Sequence, residues 1–451
     1  MGRSRGISAP PSRRLRRVLI KVKNNRTFRR SLSRFVGVIG AISLAGVLLT
    51  GCTSSGSSDN ANGDSANSTT ITFWQYYGER SDKVHGLPLY DFIGRFEKAN
   101  PDIKVNIRFV PSGDMNRILL QAAGSKKLPT VALIHGTDTS LFANSGIAKD
   151  ISSLAKIWGQ QDEYYPSAWA STQVDKKTYA LPAVGDLYGL YHNKTLLEDA
   201  GLTPPKTWDE LEKTAKKLSV DGRTGLAISG MSGAPDGAYP TILRFLAEGG
   251  DVSKIDSPAG KVALTTMKDL VSSGAVSQGF STWSEDNVET QFATGQAALM
   301  INSAGYVTNL EKDYPDLTWD VAPLPDGSSE AVTYLQSENL VIGTDATDQQ
   351  TKAAWKLLKF MQEPKELAIY LPARSKLPLR TDVPVENPVI AKFAKLMDSA
   401  FTPTGELSDN WAQVLTAYQT AMSAAVSGSA TTAGALTAAQ DMIDQALAQS
   451  K

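Results

Sequence analysis

The sequence has few of the residues that bind transition metals or form disulfides: one cysteine and three histidines among 451 residues. A single cysteine excludes an intramolecular disulfide. One cysteine together with three histidines also argues against a zinc site built from Cys and His. The signatures GxSxG, HExxH, GxGxxG and the P-loop are also missing, and three histidines leave little general acid–base machinery. We therefore expect no metal, no cofactor and no catalysis.

Acidic residues are missing from the N-terminal region, where the first is Asp59. Residues 1–34 contain 12 of the 46 Lys and Arg residues, so 34 basic residues stand against 46 acidic ones in the rest of the chain. The body therefore has a net charge of −12. Because phosphate backbones require a basic face, this charge argues against a nucleic-acid partner.

A long apolar run is missing as well, because the uncharged stretch at residues 35–49 is too short for a bilayer, which needs about 20 residues. It suits the core of a signal peptide behind a basic flank. It ends in Leu-Thr-Gly before Cys52, the single cysteine, and this resembles the lipobox of bacterial lipoproteins. That resemblance makes residues 1–51 a signal peptide and Cys52 the lipidated first residue; an uncleaved membrane anchor is the alternative. The basic flank is longer than is usual for a signal peptide, so a true start codon downstream of Met1 is an alternative to a start at Met1.

After Cys52, the residues up to position 70 are all small or polar, which predicts a flexible tether at 52–70.

The remaining 380 or so residues are too many for one hydrophobic core, because single cores stop growing at about 250–300 residues, so we expect two lobes. Strand patterns at 71–77, 103–110 and 131–134 alternate with helical patterns at 89–98 and 114–123. This order predicts an α/β fold with mostly parallel sheets flanked by helices.

Later segments continue the alternation. Helices are predicted at 208–218, where Thr207 and Glu210 form a capping box, and from Pro258, with Val262 on its buried side. Strands are predicted at 297–301 and 339–342. Helices are predicted at 352–361, from Pro364 onward, at 411–421 and at 432–448.

Four segments together resemble the extracellular solute-binding proteins of ABC importers, in the carbohydrate branch that includes maltose-binding protein. They read LPAVGDLYGLYHNK at 181–194, LTPPKTWDEL at 202–211, FATGQAALMIN at 292–302 and VAPLP at 321–325. The resemblance covers nearly the whole chain from Ile71. It implies a monomer with two α/β lobes, three crossovers near 183–188, 322–333 and 371–381, and a ligand cleft between lobes that closes by a hinge.

The implied lobes comprise residues 71–184 with 326–375, and 185–325 with 376–451. The implied function is capture of a sugar or oligosaccharide outside the cytoplasmic membrane and delivery to the permease, with Cys52 as the membrane anchor. The sequence names neither the sugar nor its length.

A sugar offers hydroxyl groups and an apolar CH face, so its site combines carboxylates or amides with flat rings. The resemblance implies that five segments face the cleft. They are the end of the first strand, the loop after the third strand, the first crossover, a glycine–aromatic segment and a late helix. Lobe junctions and a further aromatic add weaker candidates, while Trp74 is expected to pack inside. The candidates are Gln75, Tyr76, Tyr77, Asp138, Asp186, Tyr188, Trp283, Tyr306, Glu338, Arg374 and Trp411.

Each candidate has a structural alternative: Trp283 and Trp411 as half-buried core, Asp138 and Asp186 as caps, and Glu338 and Arg374 as ion pairs. Two other functions stay open at this point. One is a secreted, lipid-anchored glycosidase with two carboxylates about 5–10 Å apart. The other is a ligand sensor with the same fold.

Overall fold

The computed structural model describes residues 68–83, 86–233 and 235–448, and its strands form where β-branched and apolar residues cluster. The basic segment, the apolar segment, Cys52 and most of the tether lie outside these residues. The strands are β1 (Thr69–Gln75), β2 (Ile103–Phe109), β3 (Val131–His135), β4 (Gln173–Val174), β5 (Lys177–Thr178), β6 (Ala180–Asn193), β7 (Thr224–Ala227), β8 (Ala297–Ser303), β9 (Trp319–Ala322) and β10 (Leu335–Ile342).

Helices fill most of the sequence between the strands. They are α1 (Leu87–Ala99), α2 (Ser112–Gly124), α3 (Thr139–Asn144), α4 (Ser152–Trp158), α5 (Pro166–Ala170), α6 (Lys194–Asp199), α7 (Trp208–Leu218), α8 (Tyr239–Ala247), α9 (Pro258–Ser272), α10 (Glu285–Ala293), α11 (Val307–Asp313), α12 (Asp348–Met361), α13 (Pro364–Tyr370), α14 (Ile390–Ala394), α15 (Glu406–Asp409), α16 (Trp411–Ser427) and α17 (Thr432–Ala448). Short 3₁₀ turns connect several of them.

Within the described residues, the main sheet has the strand order β2-β1-β3-β10-β6-β8-β7, with β9 beside β6. The parallel arrangement predicted for the first three strands is confirmed, because β1 pairs in parallel with both β2 and β3. The pair β7–β8 is parallel too. Antiparallel pairing appears where β10 and β6 run back through the middle of the sheet.

Strand β6 joins two lobes. Its first half pairs with β10, ending at Leu187, and its second half pairs with β8, starting at Tyr188, and with β9. Helices α1 and α12 pack on the first part of the sheet, and α7 and α10 pack on the second. Helix α13 packs on α1 and α12, whereas α8, α9, α16 and α17 pack together as a further helical layer that contacts α7 through α9. The two-lobed α/β architecture expected from the sequence is therefore present.

Three chain segments run side by side where the lobes meet. The hydroxyl of Thr333 accepts a hydrogen bond from the Tyr188 amide at 3.0 Å and donates one to the Tyr188 carbonyl at 2.9 Å. The backbones of Gly185 and Leu377 exchange two hydrogen bonds of 3.1 and 2.9 Å. Polar groups of the connecting segments are thus satisfied although they are buried.

Three local details differ from the sequence predictions: the start of β1, the capping of α7 and the exposure of Val262. Strand β1 starts at Thr69, inside the predicted tether, because Thr69 and Thr70 are β-branched and pair with β2. The Thr207 side chain caps α7, but the Glu210 carboxylate accepts from the Lys206 amide rather than from Thr207, so the box is not reciprocal. Val262 faces solvent, with 37% of its surface exposed.

Trp74 is buried as expected, and the Arg108 guanidinium lies 4.5 Å from the centre of its ring. Among the described residues, none of the helices has the length and apolar character needed to cross a bilayer.

Candidate functional site

A cavity of about 780 Å³ opens where the ends of β3 and β10 face residues of the second lobe. Its walls come from the loop after β3, the start of β10, the first residues of α8 and α10, and the first turns of α16. The lining residues are Ser112, Asn116, His135, Thr137, Asp138, Leu141, Gly233, Asp236, Tyr239, Ser284, Glu285, Asp286, Tyr306, Tyr334, Gln336, Ser337, Glu338, Lys376, Ser408, Asp409, Trp411, Ala412, Gln413, Leu415, Thr416 and Gln419.

One wall is aromatic. The ring centre of Tyr334 lies 5.1 Å from that of Tyr239 and 5.7 Å from that of Trp411, so these rings pack as a continuous surface. The Trp411 indole N–H donates to the Tyr334 hydroxyl at 2.9 Å, and Trp411 is only 3% exposed. Tyr306 adds a further, half-buried ring to the lining.

A second wall is acidic and is built by the start of α10. Ser284 caps this helix, which places Glu285 and Asp286 in its first turn, where carboxylates are favoured by the helix dipole. The Tyr306 hydroxyl donates to Asp286 Oδ1 at 2.7 Å, and the Tyr188 hydroxyl donates to Glu285. Burial, followed by the negative charges of Asp236 and other carboxylates, raises the pKa of Glu285 to about 8.

Lys376 supplies a positive charge at the junction of the lobes. Its ammonium group lies 2.8 Å from Asp186 Oδ2 and 3.5 Å from Glu338 Oε1. Asp186 and Glu338 sit on adjacent strands, β6 and β10, which explains how one lysine reaches both. The pKa of Lys376 is raised, because the attraction of Asp186 and Glu338 outweighs the effect of burial.

The loop after β3 forms the opposite side of the cavity. His135 Nε2 lies 2.9 Å from the Ser112 hydroxyl, and Asp138 closes the 3₁₀ turn that follows. This turn packs closely on β10, since a Cβ atom on Gly136 would lie 1.8 Å from the Ser337 hydroxyl. Burial raises the pKa of Asp138, although His135 opposes the shift.

The structure brings four of the candidates from sequence to the cavity lining: Asp138, Tyr306, Glu338 and Trp411. Three others lie directly behind the wall. Tyr77 donates its hydroxyl to Glu338, Asp186 holds Lys376, and Tyr188 donates to Glu285. These three position the lining groups rather than line the cavity themselves.

Four candidates lie farther from the cavity than the lining and its direct supports: Gln75, Tyr76, Arg374 and, described below, Trp283. The Tyr76 ring stacks on His135 with ring centres 4.9 Å apart, and the Arg374 guanidinium lies 4.1 Å from the centre of the Tyr77 ring. The Gln75 amide is fully buried and bonds the backbone of Tyr77 and Gly78, so it shapes the turn after β1.

Trp283 is half-buried and packs against both large hydrophobic clusters, away from the cavity lining. Its place matches the core alternative, as expected for a large ring beside a short 3₁₀ turn.

Several lining residues were not identified from the sequence: His135, Asp236, Tyr239, Glu285, Asp286, Tyr334, Gln336, Lys376 and Asp409. The signal for Glu285 and Asp286 was available, because Ser284 is a good helix cap and precedes them directly. Lys376 and Tyr334 carry no local pattern, since their roles depend on contacts with residues more than 70 positions away.

Comparison with known proteins gives consistent matches. A binding protein of Brucella abortus is 27% identical over 337 residues, covering 68% of this chain and 78% of the relative. The multiple sugar-binding protein of Streptococcus mutans is 21% identical over 350 residues, covering 74% and 80%.

Among solved structures, the GacH receptor of Streptomyces glaucescens, studied unliganded and with acarbose, is 26% identical with a TM-score of 0.72, covering 84% of this chain and 98% of the receptor. The family model for bacterial extracellular solute-binding proteins matches residues 72–368, more than half of the 451 residues. Two lobes around a polar and aromatic cavity agree with that match, and the chain belongs to the bacterial extracellular solute-binding protein family.

Proposed function

We propose that this protein binds a saccharide in the cavity between its lobes and delivers it to the permease of an ABC importer. The observation that carries this proposal is the cavity wall, in which the rings of Tyr239, Tyr306, Tyr334 and Trp411 stand beside carboxylates and amides. Rings can stack on the apolar face of a sugar, while carboxylates and amides accept and donate hydrogen bonds at its hydroxyl groups.

The volume supports a ligand larger than one sugar ring. Small-molecule pockets span roughly 300–1,000 Å³, and the cavity of about 780 Å³ lies in the upper part of that range. The relatives named for multiple sugars and for acarbose point to the same ligand class.

The protein acts by binding without turnover in this proposal. The chain belongs to a family of binding proteins, and two carboxylates of the lining already serve other groups: Glu338 pairs with Lys376, and Asp286 accepts from Tyr306. A glycosidase needs one carboxyl free to protonate the leaving group and a second to attack or to activate water.

The membrane anchor is a further part of the proposal. An apolar stretch of signal-peptide length at residues 35–49 is followed, after Thr50 and Gly51, by the single cysteine, Cys52. If Cys52 is lipidated, Cys52→Ala should move the protein from the membrane fraction to the soluble extracytoplasmic fraction, as measured by fractionation and immunoblotting. A variant that stays in the membrane after a carbonate wash would indicate an uncleaved anchor instead.

Tyr306 provides the test of the saccharide site. Its ring is half-buried in the lining, so Tyr306→Ala should weaken saccharide binding by roughly 10- to 100-fold with a small effect on folding. Calorimetry with maltose, maltotriose, cellotriose and N-acetylchitotriose measures the affinity, and denaturant unfolding measures the stability.

Tyr314 offers a matched control for this experiment. It is a half-buried tyrosine at the end of α11, the helix that follows Tyr306, and it lies outside the cavity lining. Tyr314→Ala should leave the affinity unchanged. Wild-type protein that binds none of these saccharides at millimolar concentration would contradict the proposed function.

A further inference from the structure

The cavity lining is strongly unbalanced in charge. Among the described lining residues, six carry a carboxyl group, one carries an ammonium group and none carries a guanidinium. The carboxyl groups are those of Asp138, Asp236, Glu285, Asp286, Glu338 and Asp409.

The single cation is already neutralised by the protein. Lys376 forms ion pairs with Asp186 at 2.8 Å and with Glu338 at 3.5 Å, and its side chain is only 17% exposed. Loss of hydration beside the cavity wall lowers the pKa of the His135 imidazole from its ordinary value, so His135 adds little positive charge at neutral pH. A phosphate or carboxylate on a ligand would therefore meet no available cation in the lining.

Among the described residues, no Lys, Arg or His forms an ion pair with Asp236, Glu285 or Asp286, the carboxyl groups of the acidic wall. The charges that act on Glu285 come from Asp236, Asp186 and Asp286, and each of them raises the pKa of Glu285. The N-terminus of α10 offsets about half an elementary charge, which is less than the combined charge of Asp236 and Asp286; Glu285 is mostly neutral at pH 7, because its pKa is raised to about 8. No group of three carboxylates, histidines or cysteines in the described residues could hold a metal ion, so a metal does not account for this wall.

A buried acceptor on the opposite side also lacks a partner. Asp409 Oδ1 is shielded from solvent and makes no hydrogen bond, although Asp409 lines the cavity. Buried carboxylate oxygens without a donor are costly, so a ligand that brings N–H or O–H donors would be favoured at this position.

We propose that the site selects saccharides that carry a protonated amine over neutral ones, and excludes phosphorylated sugars and sugar acids. This inference rests on the proposed function and assigns the charge of its ligand. An ammonium group beside Asp236, Glu285 and Asp286 would supply the positive charge and donors that this wall lacks, while the sugar rings stack on the aromatic wall.

Pairs of probes test the amine. Cellotriose and the glucosamine trimer differ only in the hydroxyl or ammonium group at C2 of each ring. Maltotetraose and acarbose form a second, less closely matched pair, because acarbose has an amine in place of one glycosidic oxygen but also an unsaturated carbocyclic ring and one 6-hydroxyl group fewer. Measured by calorimetry at a pH where the amine is protonated, the cationic member of at least one pair should bind about 10-fold more tightly or better. Added salt should weaken the cationic member more than the neutral one.

Asp236→Asn tests which wall is responsible, because it removes one charge with little change of shape. It should reduce the preference for the amine, measured as the ratio of the two affinities within a pair, by about 5-fold. Asp269→Asn is the control, since Asp269 is an exposed carboxylate on α9, outside the cavity lining. It makes the same change in net charge and should leave the preference intact.

The outcomes separate this inference from the proposed function. Equal affinity within each pair, or tighter binding of glucose 6-phosphate or trigalacturonate than of the neutral sugars, would overturn the selection for amines while the saccharide site stands. Loss of the preference in Asp269→Asn as well would assign it to the net charge of the protein rather than to the wall, and would also overturn it. Failure of every neutral and cationic saccharide to bind would refute both.

Discussion

Trp411→Ala should destabilise the protein by about 3–5 kcal/mol, the range found when a large buried ring is truncated. Trp411 is 3% exposed and packs between Tyr334 and Phe401, with ring centres 5.7 and 5.8 Å away. Its truncation would leave a cavity and remove the donor that bonds the Tyr334 hydroxyl. Because Trp411 also lines the cavity, the variant should bind saccharide more weakly even at temperatures where it is folded.

The two effects can be separated with a tryptophan outside the cavity. Trp208 is 1% exposed and belongs to the same hydrophobic cluster as Trp411, but it does not line the cavity. Trp208→Ala should cost a similar free energy of unfolding and leave the affinity unchanged. Denaturant unfolding and calorimetry on both variants check this, and a Trp411→Ala variant with wild-type affinity would show the ring to be purely structural.

Helices with strong local signals were predictable from the sequence almost residue by residue. Helix α7 was predicted at 208–218 and α17 at 432–448, and both ranges agree with the structure. In α7 the capping Thr207 and the apolar spacing point to the same helix, so local and tertiary preferences agree. The prediction of an α/β fold in two lobes depended on this alternation of elements and is confirmed.

Strand β6 shows where local reasoning ends. Its 14 residues are all buried, yet they include Pro182, two glycines, Asp186 and His192, which give no alternating pattern. The strand exists because β10, β8 and β9 pair along its two halves, and these partners lie more than 100 residues away in sequence. Only the family resemblance singled out this segment, and the lobe boundaries at 184/185, 325/326 and 375/376 stay predictions.

The candidate site divides in the same way. Asp138 and Tyr306 follow strands that end at the cavity, so their positions could be inferred from the sheet. Tyr77, Asp186 and Tyr188 were identified as ligand-binding, but the hydroxyl groups of Tyr77 and Tyr188 donate to Glu338 and Glu285, and Asp186 Oδ2 accepts from Lys376. The sequence indicates which residue types gather near the cleft, whereas the choice between lining and support depends on side-chain partners across the two lobes.

The ion-pair network at the lobe junction should give the second large effect. Lys376→Met should lower the free energy of unfolding by about 3–5 kcal/mol, because removing one member of a buried pair leaves an unpaired charge in a poorly solvated place. The side chains of Asp186 and Glu338 are only 5% and 10% exposed, and Lys376 is the cation that contacts both. Denaturant unfolding at neutral pH measures the loss.

An exposed pair provides the matched control for this loss. Lys392 bonds Asp320 with side chains 42% and 32% exposed, so Lys392→Met should cost no more than about 1 kcal/mol. Adding Asp186→Asn to Lys376→Met should restore part of the lost stability, because the second substitution removes the charge that the first leaves unpaired. If Lys376→Met costs as little as Lys392→Met, or if Asp186→Asn destabilises it further, the network contributes through shape rather than charge. In that case Lys376 would be free to meet an anionic ligand, and the selection for amine-bearing saccharides would lose one of its three supports.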